Sequence, residues 1–351
     1  MRSVRTGDSG PEARDIQQRL ADLGFSIDPD EAAAGFGDST RSAVLAFQES
    51  RNLRVDGLVG PDTWGQLVEA GYRLGDRSLY LRAPVYRGDD VRALQRKLNG
   101  LGFDAGKEDG MFGPRTERAV REFQRNVGDT PDGMVGFATV RTLQRMRPPE
   151  AGPGRAMVRE GEELRHRHGS LEGSVVAIDP GPGTKSNDAN RRLALALRDA
   201  LAALGAKPEI LSDAVGDPSP SHSARLANDL GAVLCLSLHL GEGVSETSGP
   251  TCSYFGSLRT HSPAGQLLAE HILDELEGTL GRRGRLQRLT GAMLRETRMP
   301  AVQIEPIAGA NPQETSLLAD PAFVLRVAAA IAAGSSRYFV VAGGGPPRPP
   351  R

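Results

Sequence analysis

A chain of 351 residues has room for two or three domains, and 38% hydrophobic with 25% charged residues describes an ordinary globular protein, not a disordered or fibrous one. A formal net charge of −1 supplies no global attraction to nucleic acid or to an anionic membrane. No apolar stretch approaches the roughly 20 residues of a membrane helix, so no membrane span is expected.

The start, Met1-Arg-Ser-Val-Arg-Thr-Gly-Asp8, lacks the apolar core of a secretory signal. The expectation is therefore a cytoplasmic location, with any approach to the inner face of the membrane made through partners. Cys235 and Cys252 are the only cysteines, and Cys235 sits in the apolar run Ala232–Leu238, the setting of a buried free thiol rather than a disulfide.

The first half of the chain repeats itself. Gln17–Leu20 and Leu23-Gly24-Phe25 return 78 residues later as Gln95–Leu98 and Leu101-Gly102-Phe103. Phe36-Gly37, Phe47-Gln48, Asp56-Gly57, Val59-Gly60, Thr63 and Leu67 return at a shift of 76, so a loop between the two sets is two residues shorter in the second copy. Each copy reads as three helices. The first carries Ile16, Leu20 and Leu23, or Val91, Leu94, Leu98 and Leu101, at the three- and four-residue steps of one helix face. The second begins near Thr40 or Thr116 and aligns Ala43, Val44 and Phe47, or Ala119, Val120 and Phe123. Asp-Gly-x-Val-Gly makes a tight turn, and a short third helix holds 63–67 or 139–143.

These elements resemble the peptidoglycan-binding domain 1 family, twice over. The resemblance implies two small all-α modules, at 5–72 and 82–146, with peptidoglycan or its precursors as ligand. Phe47 and Phe123 are expected in the core. Arg51, Asn52, Arg125 and Asn126 are exposed candidates for glycan contact, solvated surface being the default, and the glycan-binding residues stay unassigned.

Composition shifts over 147–173, where Pro148-Pro-Glu-Ala-Gly-Pro-Gly154 is an extended, flexible linker and His166 and His168 belong to a solvated charge run. The Pro/Gly/Arg tail, 341–351, has nothing to bury and should be disordered. Between them, residues 174–340 alternate strand and helix: strands at 175–178, 209–211, 233–240, 251–255 and 301–305, helices at 189–204, 224–230, 264–280 and 323–331. That alternation predicts a mostly parallel sheet covered by helices on both faces, with any site at the carboxyl ends of the strands. Asp179, His239 and Glu305 stand at three such ends.

Ile-Asp-Pro-Gly-x-Gly (178–183), Leu-Ser-Leu-His (236–239), Arg-Met-Pro-Ala-Val-Gln-Ile-Glu (298–305), Asn311-Pro312 and the segment 227–232 resemble the amidase 3 family, zinc N-acetylmuramoyl-L-alanine amidases that cut the glycan–peptide amide of peptidoglycan. A zinc hydrolase needs three protein ligands, an open position for water, and a carboxylate that moves the water's proton. The resemblance puts the first ligand, a histidine in the family, at Pro182, whose side chain has no lone pair to offer. The second, a glutamate, falls on Asp188 by counting back from Leu193, after a shortened loop. The third matches His239, and the catalytic glutamate matches Glu305, with Ile307-Ala308 where Gly-Phe usually follows. Asp179 and Asn311 complete the expected pocket. His222 and His261, both in polar loops, are the candidate substitutes. The expectation is a pseudo-amidase with no cofactor, with zinc only if the alternative, an active amidase, holds. The whole layout resembles the CwlM group of actinobacterial amidase-like proteins, which implies a regulator of precursor synthesis whose partners include a precursor-synthesis enzyme.

Overall fold

Buried glutamines organise the N-terminal repeats. The computed structural model describes residues 3–146, 170–181, 187–211, 219–239, 249–256, 261–307 and 317–341. It divides into two compact units, Met1–Arg159 and Glu160–Arg351. In the first unit, helices α1 (Pro11–Asp22), α2 (Pro29–Ala34), α3 (Asp38–Ser50) and α4 (Pro61–Glu69) enclose Ile16, Leu20, Val44, Phe47 and Leu67. Helices α5 (Asp89–Gly100), α6 (Pro114–Asn126) and α7 (Phe137–Arg145) enclose Val91, Leu94, Leu98, Val120 and Phe123. Phe47 and Phe123 are core residues, as expected.

The Phe-Gln motif has a reason beyond packing. Gln48 Nε2 donates to Asp56 Oδ1 (2.8 Å), the Leu58 carbonyl (2.9 Å) and Thr63 Oγ1 (3.1 Å), while its Oε1 accepts from the Asp56 and Gly57 N–H groups. One side chain thus ties α3 to the turn and to α4. Gln124 does the same for Asp132, Gly133 and Met134. Gln95 clamps a further turn of this kind, Asp109-Gly110-Met111. At the equivalent place in repeat 1, Ala33-Ala34 replaces Asp-Gly. Gln17 Nε2 still reaches the Gly35 carbonyl and Thr40 Oγ1, but its buried Oε1 has no partner.

Repeat 1 has four helices where three were expected. The extra one, α2, lies in the loop that is two residues longer in this copy. Asp28 caps it by accepting from the Asp30 N–H, and Pro29 fits its first turn. From α2, Glu31 accepts from the Ser39 and Thr40 N–H groups and both hydroxyls, capping α3 from outside. Those donors, the Ser39 N–H foremost, pull its pKa down to about 2. Arg51, a candidate for glycan contact, is half-buried in an ion pair. It pairs with Asp89 of repeat 2 (2.6 Å), and Arg92 joins the same carboxylate (2.7 Å), an ionic staple between the copies.

The second unit holds a six-stranded sheet in the order β2-β1-β3-β6-β4-β5. The strands are β1 (Val175–Asp179), β2 (Lys207–Ile210), β3 (Leu234–Leu238), β4 (Thr251–Phe255), β5 (Arg285–Leu289) and β6 (Ala301–Glu305). All neighbours are parallel except β4 and β6. Helices α8 (Asn187–Ala203), α10 (Pro263–Leu280) and α12 (Pro321–Val341) share a core with Val176, Ile178, Leu236, Val302 and Ile304 on one face. The short helices α9 (Pro220–Asp229) and α11 (Ala292–Glu296) pack with Ala177, Cys235, Phe255 and Ala301 on the other. The sequence reading missed β5 and α11. β5 carries Arg285 and Arg288 at the sheet edge, where charge is the usual guard against further pairing, so it lacks an apolar run. The last helix also runs well past 331, and the helix expected over 189–204 ends at Ala203, with Leu204 exposed. Both cysteines are free and buried.

Candidate functional site

On the face covered by α9 and α11, strand pairing lines up residues level by level. Ala177, Cys235, Ala301, Phe255 and Leu289 form one row across β1, β3, β6, β4 and β5. Two residues on, about 6.6 Å along the strands, the same face presents Asp179, Ser237, Gln303, Ser253 and Gln287. The strands therefore change from apolar to polar between adjacent levels. A third level adds His239 just beyond β3, Glu305 at the end of β6 and Thr251 opposite it. Asp179, His239 and Glu305 do share one sheet face at neighbouring levels. Ser237, Gln303 and Ser253 were missed, although each is a polar residue two positions from a site residue or inside an apolar strand, a signal that period-2 alternation could have raised.

The buried Ser237 hydroxyl donates to Asp179 Oδ2 at 2.6 Å, and His239 Nε2 lies 3.1 Å from Ser237 Oγ. With its single hydrogen given to the carboxylate, Ser237 offers His239 only a lone pair. We therefore assign the Nε2–H tautomer, donating to Ser237. Gln303 Nε2 donates to Glu305 Oε1 at 3.2 Å. Cys235, one level below, has its thiol pKa pushed well up by burial and by the charge of Asp179.

The Asp-Pro-Gly turn after β1 is built onto β3. Gly181 has φ +72, and a Cβ there would stand 2.2 Å from the Leu238 carbonyl oxygen, so both backbone conformation and space require glycine. The motifs 227–232 and 298–305 meet through Asn228: its Nδ2 donates to the Glu296 carbonyl (2.9 Å) and its Oδ1 accepts from the Arg298 N–H (2.8 Å). Ser221 donates to Glu296 Oε1, beside a buried Arg295–Glu296 pair at 3.0 Å. These bonds seat α11 ahead of β6, and with it the strand that carries Glu305.

Matches to known families cover nearly the whole chain. A peptidoglycan binding domain profile matches residues 9–67 and 87–143, and an N-acetylmuramoyl-L-alanine amidase profile matches 168–337. The N-acetylmuramoyl-L-alanine amidase CwlM of Mycobacterium tuberculosis is 34% identical over 343 residues, spanning 90% of this chain and 84% of its own. The chain belongs to the N-acetylmuramoyl-L-alanine amidase family of CwlM. CwlL of Bacillus licheniformis is 31% identical over 161 residues, 40% of this chain and 45% of its own. The structure of Ami1 from Mycobacterium smegmatis aligns with 49% of this chain and 99% of its own, at 20% identity and a TM-score of 0.44.

The family's zinc chemistry can be tested against these residues. Pro182, Asn311 and the side chain of Asp188 lie outside the described residues; Asp188 itself falls in the first turn of α8. Whatever its placement, the Pro182 side chain has no donor atom. Nε2 of His239 is committed as a donor to Ser237, which leaves only Nδ1 with a lone pair. His222 meets Arg225 and Ser219 at the start of α9, and the His261 ring lies against Tyr254 at 6.2 Å. Among the described residues no three His, Cys, Asp or Glu side chains gather to hold a metal ion. In the tautomer assigned above, His239 Nε2 carries a proton and offers a metal no lone pair. Among the described residues, too, no helix is long and apolar enough to cross a membrane.

Proposed function

We propose that this member of the amidase family binds peptidoglycan or its precursors without hydrolysing them and acts as a regulator in cell-wall precursor metabolism. One observation carries the reading: the position of the family's first zinc ligand is Pro182, while the retained His239 spends its Nε2 on Ser237. A zinc hydrolase requires three ligands and an open site for water. Asp188 and His239 supply two at most. The tandem repeats bring a peptidoglycan ligand, and a protein with binding modules but no chemistry exerts its effect through contacts, a precursor-synthesis enzyme being the expected partner. A cytoplasmic site of action belongs to the same reading, checked by fractionating cells against a membrane and a secreted marker.

Retention of His239 and Glu305 in register favours one other reading, a zinc-dependent N-acetylmuramoyl-L-alanine amidase. Metal analysis of the purified protein separates the two. The proposal expects well under one zinc per chain and no release of peptide from muropeptides. One zinc per chain, ligands that include His239, and turnover abolished by Glu305→Gln would sink it. Pro182→His alone is expected to leave the protein inactive, because the shortened loop 184–187 and the shorter side chain of Asp188 remain.

A further inference from the structure

The two repeats differ in concert at three corresponding positions. An antiparallel bridge, Val4–Val59 in repeat 1 and Leu79–Val135 in repeat 2, occupies the same place in each. All four bridged residues are buried, so the next residues along turn outward opposite one another. They are Arg5 and Leu58 in repeat 1, Tyr80 and Met134 in repeat 2. At the first position of the helix that follows, repeat 1 has Pro61 and repeat 2 has Phe137. Arginine, leucine and proline have become tyrosine, methionine and phenylalanine.

In repeat 2 these side chains are open to solvent. Phe137 is 82% exposed, Met134 45% and Tyr80 37%, whereas Phe112 and Phe123 of the same repeat are buried. A phenylalanine ring left this bare adds nothing to the core, and clustered exposed apolar groups mark interaction sites. Tyr80 is also held in place. Its ring meets Tyr86 edge-on at 5.4 Å, and the Tyr86 ring carries the guanidinium groups of Arg82 at 4.4 Å and Arg77 at 4.9 Å.

We propose that Tyr80, Met134 and Phe137 form a saccharide platform, on which the apolar face of an N-acetylhexosamine ring of the glycan strand lies against Phe137. The assignment rests on the peptidoglycan-binding reading above. A stable protein partner needs about 800 Å² per side, far more than three side chains offer, while one sugar ring needs a flat apolar surface with polar groups at its rim. The Tyr80 hydroxyl and Arg82 supply that rim, the arginine suiting the carboxylates that peptidoglycan carries. Repeat 1 keeps the scaffold without the platform, so the copies divide the work: the second binds glycan here, and the first does not.

The test uses the full chain, purified peptidoglycan sacculi in a co-sedimentation assay, and chitotetraose in calorimetric titration. Phe137→Ala is expected to weaken both by about tenfold, the scale of losing an aromatic anchor. Because the ring is exposed, far-ultraviolet dichroism and Tm should not move. Phe137→Trp should retain binding and report chitotetraose by a change in indole emission, and Pro61→Ala should bind like the parent. Equal binding by the parent and Phe137→Ala overturns the platform and leaves peptidoglycan binding standing. A parent that binds neither probe overturns both readings. Binding to sacculi that Phe137→Ala abolishes, with no affinity for chitotetraose, assigns the site to the peptide stem and overturns the saccharide.

Discussion

Replacing Ser237 with alanine tests the geometry on which the functional reading depends. The hydroxyl is buried and serves both neighbours, donating to Asp179 at 2.6 Å and accepting from His239 at 3.1 Å. Alanine removes a single oxygen from a close-packed strand, so packing changes little and the cost is electrostatic. Asp179 is only 6% exposed and loses a charge-assisted donor, an interaction worth roughly 1.5–3 kcal/mol. For a unit of this size about 2 kcal/mol corresponds to a fall in Tm of about 4–8 °C. The measurement is thermal unfolding of the full chain, following the transition of the second unit, since two units need not melt together. Long-range proton–nitrogen correlation spectra of the parent should show His239 Nε2 protonated, and Ser237→Ala should shift that signal most among the histidines. Zinc should raise the parent's Tm little, because a ligand stabilises only what it binds. A Ser237→Ala variant as stable as the parent, or a parent whose Nε2 is unprotonated and whose Tm climbs with zinc, would refute the hydrogen-bond chain and with it the argument against a metal.

The other predictions address the scaffold. Gln124→Leu removes the side chain that clamps the Asp132-Gly133 turn and leaves Gly133 N–H without its buried acceptor; a loss of about 2–4 kcal/mol in urea unfolding of the first unit is expected, and a loss under half a unit would show the clamp to be incidental. Glu31 has a folded pKa of about 2 against an ordinary 4.5, so its capping of α3 is fully present above pH 4.5 and fades as pH falls toward 2. The parent should therefore be more stable than Glu31→Gln at neutral pH, with the gap closing over that window; a gap independent of pH would show that the carboxylate charge contributes nothing. Gly181→Ala meets both a left-handed backbone and the Leu238 carbonyl, and should cost about 2 kcal/mol or more in the second unit's unfolding; an unchanged Tm would mean the turn is not built onto β3 as described.

The repeats were the most legible part of the chain, because a duplicated pattern is its own control: every buried position in one copy predicts its partner in the other. What escaped was the difference between copies. Helix α2 depends on a cap at Asp28 and on Glu31 reaching forward to Ser39, local hydrogen bonds that leave no periodic trace over six residues. Gln48 and Gln124 were visible as a motif, but their function is three-dimensional, since the turn they clamp lies eight and nine residues on. In the second unit, β1, β4 and β6 were readable as apolar runs, and β5 was not, since an edge strand is free to be polar.

The site divides along the same line. Asp179, His239 and Glu305 could be singled out because residue type and strand end coincide. Ser237 and Gln303 were legible only as polar residues two positions before a site residue, and their role waits on the register that sets them beside a carboxylate and an imidazole. If the family's metal site is lost here, as proposed above, that placement bears on how. A zinc centre stripped of one ligand would ordinarily leave buried donors unpaired at a cost of about 1–3 kcal/mol each. Here Ser237 lies between Asp179 and His239, and Gln303 donates to Glu305, so the polar end of the sheet draws its partners from its own strands. A pocket satisfied in this way keeps its shape without an ion. On the reading proposed above, proline at position 182 removes the reaction while the polar end of the sheet stays satisfied by its own strands.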